Sequence, residues 1–168
     1  GVSPSSGVPH TYVAKLNARH QRARIPLLVT ADFENGGPGM RINHSYAIPS
    51  LLSQGGGTSF PPTMAFGALG NPSYAYEYGR VTAIEARAVG VHMIFAPVLD
   101  VNSNPDNPVI NTRSFGESPG AVARLGAAFI RGIHDGGAFA TAKHFPGPVS
   151  YTPLTPQTSF PVSLAFVP

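Results

Sequence analysis

The chain has 168 residues, enough for one domain with a sizeable core, and its 42% hydrophobic content set against 19 glycines and 18 prolines describes a folded, loop-rich protein. Charged residues make up only 11% and the net charge is +3, so the basic balance reflects scarce acids, and no nucleic-acid partner is expected. Cysteine is absent, which removes disulfides and thiolate chemistry, and no run approaches the ~20 apolar residues of a membrane span.

The residues up to Gly7 read as the remnant of a strand and loop, because a helical pattern follows directly over Val8–Arg22. The basic run Lys15, Arg19, His20, Arg22 and Arg24 shares its stretch with Tyr12, Val13 and Leu16 and reads as a solvated helix face, without the aromatic interleaving of a nucleic-acid surface. The first clear strand is Ile25–Asp32 (IPLLVTAD), a short apolar run of the kind buried on both faces of a parallel sheet. A long glycine-rich loop, Asn35–Thr63, follows. The spacing of Tyr78, Val81, Ile84 and Ala88 predicts a helix over Pro72–Val89, with Asn71 as N-cap, Pro72 in the first turn and Gly90 as stop.

A second strand is predicted over His92–Asp100 (HMIFAPVLD), then a second long loop, Val101–Glu117, rich in Asn and Asp. Ser118 and Pro119 open a helix whose Val122, Leu125, Phe129, Ile130 and Ile133 form one apolar stripe, closed by Gly136–Gly137. The third strand is Ala138–Phe145 (AFATAKHF). This alternation gives an α/β chain of about four strands and three helices, half of a (β/α)8 barrel, which typically needs ~250 residues. A half barrel leaves a strand edge unpaired, so low stability is expected of the isolated chain. From 148 to 168 the composition changes: five prolines and no charged residue, which reads as foreign to the fold.

In a parallel α/β arrangement the carboxyl ends of the strands share one face. Asp32 and Glu34 lie at the first, Asp100 at the second, and Lys143 and His144 at the third. Carboxylates accept from sugar hydroxyls while Lys143 and Arg113 donate, so the set points to a polyhydroxylated ligand. Taken singly, Asp32 and Asp100 are also what a capped loop or an arginine pair needs. Six scattered histidines without metal-ligand spacing predict no metal site, Gly55–Gly57 lacks the Lys-Ser/Thr of a phosphate cradle, and no G-x-S-x-G is present. An open nucleotide-binding sheet would place a glycine-rich turn where Phe33, Glu34 and Asn35 stand.

The strings IPLLVTADFENG, GTSFPPTMAFGALGNP, FAPVLDVNSNPDNPVINTRSFGESP and ATAKHFPG occur in this order. Over Gly1 to Gly147 the chain resembles the N-terminal barrel domain of glycoside hydrolase family 3. The D-x-E-x-G run at Asp32–Gly36 is similar to the bacterial β-N-acetylglucosaminidase branch. The resemblance implies that Asp32, Arg41, Arg113, Lys143 and His144 bind the terminal sugar, with Glu34 and Asp100 supporting, and that no cofactor is needed. The substrate it implies is terminal N-acetylglucosamine of peptidoglycan or chitin fragments, in the cytoplasm or the cell envelope of a bacterium.

The implied reaction is a retaining hydrolysis, in which a carboxylate attacks the anomeric carbon and an acid/base group assists departure and then water attack. In this branch the acid/base is a histidine in a D-S-H run that follows K-H-F-P-G-H-G, with the nucleophilic aspartate further downstream. Here Pro148 stands in place of the histidine after Gly147, and 148–168 contain no Asp, Glu or His. The sequence therefore predicts a catalytically incomplete fragment with a tail of frame-shifted or rearranged origin. A β-glucosidase-type enzyme of the same family and a non-catalytic sugar-binding remnant are the alternatives.

Overall fold

The computed structural model of the chain describes residues 15, 18–37, 58 and 60–145. The expected opening strand, most of the first helix, Arg41 with most of the first long loop, and the tail from 148 to 168 lie outside the described residues. Of the first helix, 18–22 are helical, and Lys15, Arg19, Arg22 and Arg24 are exposed.

Among the described residues three strands follow one another in space as they do in sequence: β1 (Thr30–Ala31), β2 (Met93–Ile94) and β3 (Phe139–Ala140). All pairings are parallel, with Thr30, Met93 and Phe139 in one row and Ala31, Ile94 and Ala140 in the next. An isolated parallel bridge, Val98 to Lys143, carries the β2–β3 pairing to the strand exits. The regular ladders are much shorter than the apolar runs predicted. After Ile94 the chain passes through the cis Ala96–Pro97 bond, and Pro97 has no N–H to give a ladder.

In the row that faces the helices Ile94 is fully buried, and Ala31, Ala140 and Val29 are partly buried against the same core. The opposite row is open: Phe139 is 59% and Leu28 53% exposed. The expectation of strands buried on both faces is thus corrected. Among the described residues, helices cover one face only.

After the helical residues 18–22, three further α-helices lie in chain order among the described residues: α1 (Thr63–Leu69), α2 (Pro72–Ala88) and α3 (Pro119–Asp135). Helix α1 was hidden in the sequence behind Pro61 and Pro62 and ends at Gly70, which is left-handed at φ 64°. Asn71 caps α2 as expected, its side chain accepting the Ser73 N–H at 2.9 Å, and Gly90 ends it at φ 82°. Ser118 holds the N-cap position of α3 without a side-chain cap bond.

The buried face of α3 follows the predicted stripe, except that Ile130 is only half-buried. That of α2 does not. Its core residues are Ala75, Tyr78, Gly79, Thr82, Ala83 and Ala86, while Ile84 and Ala88 are exposed. The reason is the closeness of α2 and α3. A Cβ at Gly79 would come within 2.2 Å of the Phe129 carbonyl oxygen, and one at Gly132 within 2.0 Å of that of Tyr76. Backbones so near admit only small residues between them, and large apolar ones move to the flanks.

At the amino ends of the strands two histidines hold the approach to β1. His20 Nδ1 accepts the Leu27 N–H and His92 Nδ1 accepts the Val29 N–H, each at 3.2 Å, with the two rings edge to face at 5.3 Å. Burial, with the nearby Arg87 charge and His20, holds the His92 imidazole below its usual pKa. An imidazole that is harder to protonate when folded makes the unfolded state the first to take up the proton as pH falls. Stability is therefore expected to be full above about pH 6.5 and to decline below it, until the lowered folded value is also passed. Urea midpoints of the wild-type chain and His92→Gln between pH 7.5 and 5 check this: a slope that persists unchanged in the variant would assign the effect elsewhere.

Candidate active site

The site is assembled at the carboxyl ends of β1, β2 and β3. Asp32 and Glu34 leave β1 on either side of Phe33, which is buried and stands at φ 41°. A left-handed non-glycine residue costs ~1–3 kcal/mol and persists only where its surroundings over-determine it. Here the ring is locked in the core, and both carboxylates are left facing Lys143.

Lys143 is placed by backbone: its N–H donates to the Pro97 carbonyl at 3.0 Å and its carbonyl accepts from Leu99 N–H at 2.6 Å. Its ammonium lies 2.8 Å from Asp32 Oδ1 and 2.6 Å from Glu34 Oε1. Arg113 arrives on the 3-10 turn Asn111–Arg113 and grips Glu34 with two parallel bonds, Nε to Oε2 and Nη2 to Oε1, both 2.8 Å. Its Nη1 donates to the Val109 carbonyl at 2.8 Å. Across a cis Lys143–His144 bond, His144 turns to Asp100: ring Nδ1 and backbone N–H both meet Oδ2, at 2.7 and 3.1 Å.

The sequence marked Glu34 as a supporting residue; in the structure it is the hub that both cations share. Burial on its own would raise the Glu34 pKa. The hydrogen bonds and charges of Arg113 and Lys143 outweigh that penalty and hold the carboxyl below its usual value. The same bonds raise the Arg113 pKa. The Glu34 and Lys143 side chains are each 15% exposed, whereas Asp32 is 65% exposed and, among the described residues, only its Oδ1 is engaged by Lys143.

Residues that sequence reasoning passed over set this geometry. Tyr78 on α2 donates its hydroxyl to the Glu34 main-chain carbonyl. Buried Ser114 donates to the Asp100 carbonyl at 2.5 Å and accepts the Gly116 N–H at 3.0 Å, tying the second long loop to β2. The only sequence signal for Ser114 is its place in the T-R-S-F-G run. Asn104 and Asn107 accept the N–H two residues on, so the polar residues of that loop shape turns. Arg41 lies outside the described residues, while Asp32, Glu34, Asp100, Arg113, Lys143 and His144 all converge. Among the described residues, no three His, Asp or Glu side chains cluster to hold a metal ion.

Residues 8–152 match the glycosyl hydrolase family 3 N terminal domain. The chain belongs to glycoside hydrolase family 3. It is 38% identical over 133 residues to beta-hexosaminidase A of Pseudoalteromonas piscicida, covering 77% of this chain and 20% of that protein. It is 34% identical over 134 residues to a beta-N-acetylglucosaminidase/beta-glucosidase of Cellulomonas fimi, covering 80% and 22%. A solved family 3 beta-N-acetylglucosaminidase from Paenibacillus sp. str. FPU-7 superposes with a TM-score of 0.68 at 39% identity, over 83% of this chain and 25% of that one. The chain thus spans about a fifth to a quarter of the length of these relatives. Its parallel β/α units are part of the TIM-barrel-type fold of the family 3 N-terminal domain. No helix among the described residues is long and apolar enough to cross a membrane.

Proposed function

We propose that this chain carries the sugar-recognition part of a retaining β-N-acetylhexosaminidase and holds the terminal N-acetylglucosamine of peptidoglycan or chitin fragments. The observation that carries the reading is the Glu34-centred ion network with unused donors. Lys143 has three N–H bonds and gives two to Asp32 and Glu34; Arg113 has five and gives three to Glu34 and Val109. Among the described residues three donors remain, beside the second oxygen of Asp32, for ring hydroxyls. The carboxylates Asp32, Glu34 and Asp100 match or outnumber the cations, so the site suits a neutral sugar better than a phosphate.

Asp32, Arg41, Arg113, Lys143 and His144 are the residues proposed to touch the sugar, with Glu34 and Asp100 positioning the cation pair and the imidazole. Residues 148–168 supply no Asp, Glu or His, so the 168-residue chain is proposed to bind without hydrolysing. Residues 1–147 form the family unit in this reading and 148–168 are a frame-shifted tail. Translating the encoding DNA past Gly147 in all three frames tests the tail: a frame restoring G-H-G and D-S-H supports it, and no such frame refutes it.

Calorimetric titration of the chain with N-acetylglucosamine and glucose, alongside an aryl N-acetyl-β-glucosaminide assay, tests the function. Preferred binding of N-acetylglucosamine without turnover is expected. Preferred glucose binding would favour the β-glucosidase alternative, which the double name of the Cellulomonas fimi relative keeps open. Turnover above background would remove the claim of incompleteness.

A further inference from the structure

We infer that Tyr78, on helix α2, is a positioning residue of the sugar site, acting through the main-chain carbonyl of Glu34. The inference rests on the function proposed above and adds a residue to it. Glu34 gathers both cations, and where its carboxylate sits depends on the backbone just beyond left-handed Phe33. The hydroxyl of Tyr78 ties the Glu34 carbonyl itself to the helical layer.

The phenol is itself held without slack. Its ring stacks on Phe66 at 4.4 Å and 5°, meets Phe129 edge-on at 4.7 Å and Phe60 at 4.8 Å. Tyr78 is 1% exposed, and Thr63 at the start of α1 lies beside the same hydroxyl. Burial drives the phenol pKa far above its usual value, so it stays a donor at every working pH. A buried carbonyl deprived of its donor is costly, and the backbone carrying it shifts to find another. The shift would move the Glu34 carboxylate relative to Lys143 and Arg113.

Tyr78→Phe removes the hydroxyl and keeps the ring stack. Two readouts on the full chain separate positioning from packing. The Glu34 carboxyl titration, followed by NMR without sugar, is expected to move toward the ordinary glutamate range in the variant. The dissociation constant for N-acetylglucosamine is expected to rise about fivefold, the worth of one hydrogen bond. Ile133→Val, a core change on α3 with a comparable stability cost, should alter neither.

An unchanged Glu34 titration in Tyr78→Phe overturns the inference whatever the sugar does. A shifted titration with unaltered affinity overturns the role in binding. Absence of sugar binding by the wild-type chain sinks the proposed function instead, and the titration still decides the Tyr78–Glu34 coupling. Should Tyr78→Phe not fold, the wild-type chain supplies the measurement: a slowly exchanging Tyr78 hydroxyl proton close to Glu34 supports the inference, and a rapidly exchanging one overturns it.

Discussion

Glu34→Ala is expected to abolish measurable sugar binding and to cost the fold about 3 kcal/mol, the usual consequence of removing one partner from a largely buried ion pair. Lys143, 15% exposed, would keep only Asp32, itself mostly in water, and Arg113 would lose both bonds of its fork. For a chain of this length, a melting point lower by roughly 6–12 °C follows. The acid limb of stability provides a second check. Because the folded Glu34 carboxyl lies below the ordinary value of 4.5, its contribution is present above that value. It is lost as pH falls through the lowered folded one, and Glu34→Ala should lack that part of the decline. Glu34→Gln keeps the shape but turns an amide NH2 toward a cation, so it should rescue packing without restoring binding. Unchanged melting and affinity in Glu34→Ala would show that the network is an idle surface cluster.

Gly132→Ala should destabilise by about 3 kcal/mol, the upper part of the ordinary overpacking range. In an exposed helix the same change stabilises by about 1 kcal/mol. The added methyl would lie 2.0 Å from the Tyr76 carbonyl oxygen and 2.8 Å from the Arg80 nitrogen, both main-chain atoms of α2 that cannot rotate away. Relief requires α2 and α3 to separate, which loosens Tyr78 and Phe129 at their contact. Gly120, in the first turn of α3, has nothing within 4 Å of its would-be Cβ. Gly120→Ala should therefore be neutral or mildly stabilising. The melting point of Gly132→Ala is expected to fall while that of Gly120→Ala holds or rises slightly, and equal shifts would dismiss close packing as the reason for glycine at 132.

The sequence made the scaffold of the site legible because strand exits in a parallel arrangement share a face, so Asp32, Asp100, Lys143 and His144 could be placed together without coordinates. The hierarchy within the site was hidden. Glu34 earns its central position from an arginine 79 residues away, and no local pattern announces such a pairing. The α2 stripe was misread for a different reason. Hydropathy favours Val81 and Ile84, while the contact is made by Gly79, Ala75, Ala83 and Ala86, selected by backbone distance. Helix α1 is short and contains Gly67, whose would-be Cβ falls 1.7 Å from the Phe115 carbonyl oxygen, so a tertiary contact overrides its weak local preference.

The Lys143–Asp32 pair joins residues 111 positions apart, whereas α2 and α3 are neighbours in the chain. A chain emerging amino end first frees α2 and α3 to pack before residue 143 emerges. Glu34 can meet Arg113 at that stage, but Asp32 must wait. The ion network is therefore the last part of the described structure that synthesis can complete, and its closure marks the moment when all three strands have found their order.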